Sequence, residues 1–264
     1  MLEEHYSKNS SVVSKYLRRL IFEQLLEKSR SASDIKAAKK LCADRGEWTL
    51  QKMNYLHKLG WSIEVEFDEI ILLWHLVIDL CYYTDLNKKS FSIENSKCKA
   101  SKLLSDYMVY LLVLRPLMLP DGIGQIRFQD SFAEAIAFFH RKHVKDGIQA
   151  CEKLLQVNTE ILPLKVKGDR SKSVLFDACR LAKSMQSLEA EEEWECEKKW
   201  EMMGHVWVEM LCYAACQCRW NHHANELRRG GELLTHVWLL MAHFGITEHF
   251  RTSQGHARAR LAVS

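Results

Sequence analysis

Apolar and polar residues alternate along this chain with a helical period rather than a strand period. Between Ser11 and Arg30, Val12, Val13, Tyr16, Leu20, Leu25 and Leu26 interleave with Lys15, Arg18, Arg19, Glu23 and Glu27, the pattern of an amphipathic helix. "SASDIKAAKKLCADRGEW" follows with the cap-competent Ser31 and Ser33 and a run of helix formers, predicting a second helix. Two strongly apolar helices are predicted from Asp68 to Tyr83 and from Ala100 to Leu114. The second stops at Arg115, because Pro116 disfavours the α conformation in the residue before it. "LMLPDGIGQIRFQD" reads as a loop entering a helix through "SFAEAIAFFHRKH", and Lys145 to Val157 reads as a shorter helix. After Pro163, the basic loop "LKVKGDRSKS" precedes a long helical stretch from Val174, whose middle, "LEAEEEWECEKKWE", reads as a solvated charge run. "HVWVEMLCYAAC" and "GELLTHVWLLMAHFG" predict two apolar helices joined near Trp220 to Gly231, and "RTSQGHARARLAVS" a basic, fraying tail.

The expected fold is all-α: an irregular bundle of about nine helices sharing one core, with a C-terminal helical hairpin and an N-terminal pair able to detach. The chain divides into an N-terminal helical region 1–66, a central region 67–200 and a C-terminal hairpin with its tail, 201–264. Three prolines and eleven glycines in 264 residues are too few turn formers for an all-β chain, which strengthens that expectation. A net charge of +3 is too small for a dedicated nucleic-acid binder. The nine cysteines are odd in number and irregularly spaced, as expected of free thiols in a reducing, cytoplasmic setting. "MLEEHYSKNSS" has no secretory pattern. The runs "IILLWHLVIDLCYY" and "YMVYLLVL" fall short of the ~20 residues a bilayer crossing needs.

"LCYAACQCRWNHH", Leu211 to His223, invites a metal or redox reading. On a helix, however, Cys212 and His223 stand roughly 16 Å apart along the axis, whereas zinc ligands all lie ~2.0–2.3 Å from one ion. The surrounding helix is apolar nearly all round, so these cysteines are expected in the core, and no metal or cofactor is expected. Lys165, Lys167, Arg170, Lys172 and Ser173 surround Gly168 just before a helix, the setting of an anion site for a phosphate or lipid headgroup. The plainer reading is a solvated basic loop with Ser171 or Ser173 capping the helix. The lone G-x-G of "DGIGQIRF" is better explained as a turn than as a dinucleotide site. His75 and Asp79 read as a buried hydrogen-bonded pair rather than an acid–base pair. In "LRRGGEL", Gly230 and Gly231 suit a positive-φ turn, with Arg228 and Arg229 facing water. No catalytic constellation is legible.

"ILLWHLVIDLCYYTD", "LSDYMVYLLVLRPLMLP", "VKGDRSKSVLFDACRLA", "VWVEMLCYAA" and "LRRGGELLTHVWLLMAHFG" together resemble one plant-specific family. It is known as domain of unknown function 594 and typically lies C-terminal to domain of unknown function 4220; the resemblance runs from about Phe67 to the C-terminus. It implies relatives anchored by membrane helices upstream, with this region facing the cytosol, and it carries over no catalytic residue. The expected function is a non-catalytic, cytosol-facing interaction or regulatory module with a protein partner. The basic residues of the N-terminal helix would add weak contact with anionic membrane. The alternative is an enzyme or sensor that holds a phosphorylated ligand on residues 165–173.

Overall fold

Burying one largely apolar helix organises the molecule. In the computed structural model, which describes residues 15–32, 35–86, 88, 92, 94–160, 173–191 and 196–246, that helix is α5 (Phe67–Leu86). Ile70, Ile71, Trp74, Val77 and Ile78 leave it no solvent face over most of its length. α6 (Ser96–Leu114) and α9 (Val174–Glu191) pack on it, and α10 (Cys196–Gln217) packs on α6. α12 (Leu233–His243) lies on α10, reached through the short α11 (Trp220–Arg228), so the expected C-terminal hairpin is present. Trp207 and Trp238 on its two arms are both buried.

The remaining elements wrap this centre. They are α1 (Lys15–Ser31), α2 (Ile35–Ala43), α3 (Glu47–Lys52), α4 (Leu56–Leu59), α7 (Gly124–Arg141) and α8 (Gly147–Leu155), with 3-10 turns at Gly60–Ser62 and Pro116–Met118. The all-α class is as expected, but twelve α-helices replace about nine among the described residues. The additional ones are α3, α4 and α11, all too short to show a periodic apolar stripe. Local chemistry sets several boundaries. The Asn95 side chain accepts from the N–H groups of Lys97 and Cys98, at 2.9 and 3.1 Å, and starts α6. Asp146 does the same for α8 through Gln149.

α1 is built into the body rather than held beside it. Leu17, Leu20, Ile21 and Leu25 belong to the same hydrophobic core as α5 and α10. The Gln24 amide donates to the His205 carbonyl of α10 at 2.9 Å. The expected detachable pair is therefore integral at α1. α7 is the opposite case: it lies over α5, α6 and α9, yet Gly124 is its only fully buried residue. Among the described residues, no helix is long and apolar enough to cross a membrane.

Candidate functional site

The stretch expected to be a solvated charge run supplies a buried charge, Lys199. The Lys199 ammonium, 1 % exposed, lies 2.9 Å from Asp85 and 2.6 Å from Glu189. Lys88 closes the group from the other side at 2.8 Å from each carboxylate. Trp200 Nε1 and the Cys196 thiol donate to Asp85 at 2.9 and 3.1 Å. Two carboxylates and two ammonium groups alternate, so the cluster is neutral and its charges are mutually satisfied. Burial would raise the Asp85 carboxyl, but Lys199 and the hydrogen bonds from Lys88, Lys199 and Cys196 outweigh it and hold the group below its ordinary value. Burial would lower the Lys199 ammonium, and Cys81, Asp85 and Glu189 more than reverse that, so it stays protonated.

Asp85, Glu189 and Cys196 converge closely enough to offer three ligands to a metal ion. The Lys199 ammonium already stands at the cation's place between the two carboxylates. Burial, then the neighbouring Asp85, pushes the Cys196 thiol up to about 12, away from the thiolate that a metal requires. These residues do not fit a metal centre.

A second buried group joins α1, α3 and α10. Glu209, fully buried on α10, accepts from the N–H groups of Gly46 at 3.1 Å and Thr49 at 2.8 Å, and from the Thr49 hydroxyl. It thereby satisfies first-turn donors of α3 that have no intrahelical partner. Lys28 lies 3.5 Å from Glu209 and 4.0 Å from Asp44. Burial raises the Asp44 carboxyl to about 6; Lys28 opposes the rise, and Glu209 and Glu47 add to it.

The cysteine-rich stretch is core, as expected. Cys212 and Cys218 are buried and Cys216 is partly so. Burial pushes the Cys212 and Cys218 thiols up to about 12. His223, also fully buried, meets the Thr235 hydroxyl through Nδ1 and the Ala215 carbonyl through Nε2, both at 3.0 Å, and stacks on Trp238. Both ring nitrogens are thus engaged in tying α10, α11 and α12 together. His75 and Asp79 share a face of α5 but do not pair with each other. His75 Nδ1 meets the Ser105 hydroxyl at 2.8 Å, and Asp79 accepts from Lys102 at 2.7 Å, because α6 presents partners along the whole ridge.

Of the anion-site residues, Lys165, Lys167, Arg170 and Lys172 lie outside the described residues. Ser173 is the cap of α9: its Oγ accepts from Phe176 N–H at 3.0 Å and donates to Glu134 of α7 at 2.7 Å. The two segments with the strongest chemical signatures, "DGIG" and "CQCRWNHH", meet at a cavity of about 460 Å³. Arg45, Glu66, Asp68, Tyr213, Gln217, Arg219 and His222 give it polar walls. Several of these are already committed. Arg45 donates to the Val65 carbonyl at 3.0 Å, and Arg127 lies 3.3 Å from Asp68 and 2.8 Å from Glu69. Among the described residues the lining holds no serine, threonine, cysteine or lysine, and its one side-chain hydroxyl is the Tyr213 phenol. Gly124 is needed here for close approach, since a Cβ would stand 2.3 Å from a Leu112 methyl.

Sequence reasoning missed both buried charge groups. Their signals were single acids inside or at the end of apolar runs: Glu209 within "VWVEMLCYAA" and Asp85 closing "LCYYTD". No curated protein and no solved structure matches the chain. Residues 192–246, which contain all of α10, α11 and α12, match the family model described as protein of unknown function, DUF594, so this C-terminal stretch is similar to that family.

Proposed function

We propose that the protein is a non-catalytic helical interaction module that docks a protein partner on the outward face of α7. The observation that carries this reading is the exposure of Ile126, Phe132 and Ile136, at 58, 58 and 52 %, along the solvent side of one helix. Leu117 and Ile123, just before that helix, are exposed as well. Among the described residues nothing covers this second apolar face of a helix whose other face rests on the core, and exposed apolar patches mark interaction surfaces. The non-catalytic part is supported by the Lys199 cluster, whose ammonium is paired with Asp85 and Glu189 and whose Cys196 thiol is held far above the neutral range in which catalytic groups work.

The resemblance to a plant membrane-protein family supports a setting near a bilayer, with this region facing the cytosol. The exposed Lys15, Arg18 and Arg19 of α1, next to the half-exposed Phe22, suit weak, salt-sensitive contact with an anionic surface. The phosphorylated-ligand alternative has less support, since Ser173 already serves as a cap and its hydroxyl faces the Glu134 carboxylate. The test is Phe132→Glu/Ile136→Glu. Both side chains are exposed, so thermal unfolding should stay within about 0.5 kcal/mol of wild type, while partner association is lost. Full association by the folded variant would refute the reading.

A further inference from the structure

We infer that α7 pairs with a second copy of this chain, two α7 helices lying antiparallel across a two-fold axis near Ile136. This deepens the interaction-module reading and rests on it. Ile126, Gln129, Ala133, Ile136 and His140 are all exposed and recur at alternating steps of three and four, the seam spacing of paired helices. Ala133, and Ala137 beside it, leave room at the middle of that seam for another backbone to approach.

Charge chooses the partner. α7 carries Asp130 and Glu134 near its middle, and His140 and Arg141 in its last turn, with Lys142 at its cap. At 100° per residue Asp130 and Arg141 fall about 20° apart around the helix, so they share one flank of the seam. In a two-fold antiparallel pair the same flank of each helix meets its counterpart head to tail, as an isologous interface requires. Asp130 of one copy then faces Arg141 of the other, and the contact occurs twice. The midpoint of these two residues falls next to Ile136 of the seam. Asp130 and Arg141 are both exposed, and neither has an ion-pair partner among the described residues. Arg141 reaches only the Ala137 carbonyl of its own helix, at 3.2 Å.

Sedimentation of the full chain over a concentration series tests this. Wild type should dimerise reversibly, and Ile136→Glu should be monomeric with unchanged circular dichroism. Asp130→Arg and Arg141→Asp should each weaken self-association about tenfold, two like-charge contacts being created per dimer. An equimolar mixture of these two variants should regain wild-type association, because the mixed dimer restores both ion pairs. Failure of the mixture to recover overturns the pairing. A strictly monomeric wild type also overturns it; if Ile136→Glu then still loses a captured partner, the interaction-module reading stands, and if it loses nothing, that reading falls too.

Discussion

At Lys199 the chain places an ammonium group in its core and surrounds it with two carboxylates, and the consequence is coupling. Lys199→Met leaves Asp85 and Glu189 short of a partner in a buried site and should cost about 3–5 kcal/mol, the range for breaking a buried pair from one side. Lys199→Met/Asp85→Asn should cost clearly less than the sum of the two single changes, measured by urea unfolding as a double-mutant cycle. Asp44 behaves differently. Its folded carboxyl is raised from 3.8 to about 6, so between those values the folded state binds more protons than the unfolded chain. Its contribution to stability therefore falls as pH rises from about 4 to 6 and is flat above. Asp44→Asn should be more stable than wild type at pH 7, by about 1–2 kcal/mol, and the gap should close below pH 4. A gap independent of pH would remove Asp44 from that role. Neither residue stood out in the sequence. Lys199 lies among alternating acids and bases, and it is buried by α5, over a hundred positions away, together with the end of the preceding α9.

Helices with one strong period were legible, and those set by tertiary partners were not. α5, α6, α10 and α12 follow from their apolar runs, and the end of α6 from Pro116; its start, set by the Asn95 cap, lies four residues before the expected Ala100. α10 nonetheless begins inside the charge run, because Lys199 and Trp200 are buried against α5 rather than solvated. α7 carries apolar residues on both faces, which a periodicity reading registers only as a helix. The turn into α12 was read correctly. Gly230 and Gly231 both adopt positive φ, 103° and 93°. A Cβ on Gly230 would meet open space, whereas one on Gly231 would stand 2.4 Å from the His236 ring. Gly230→Ala should therefore cost only backbone strain, about 1 kcal/mol. Gly231→Ala should cost about 2–3 kcal/mol, with strain and displacement of His236 combined. Equal losses in thermal unfolding would mean that the His236 contact contributes nothing to the turn.

Across the whole molecule, one hydrophobic core takes residues from the N-terminal, central and C-terminal stretches alike. Its charged inclusions cross the same distances: Lys28 meets Glu209, and Asp85 meets Lys199. The overall class and the core were readable because they depend on composition and periodicity, which are local. The pairings were not, because two residues over a hundred positions apart leave no mark on each other's neighbourhood in sequence. That separation has a hereditary consequence. A lineage cannot alter position 199 to an uncharged residue and keep an acid at 85 without a marginal fold, so the two positions should vary in concert when sequences of this kind are compared. The same holds for 28 and 209. Residues 192–246 transplanted onto a foreign upstream sequence would need Asp85 and Lys28, or stand-ins for them, to travel with them.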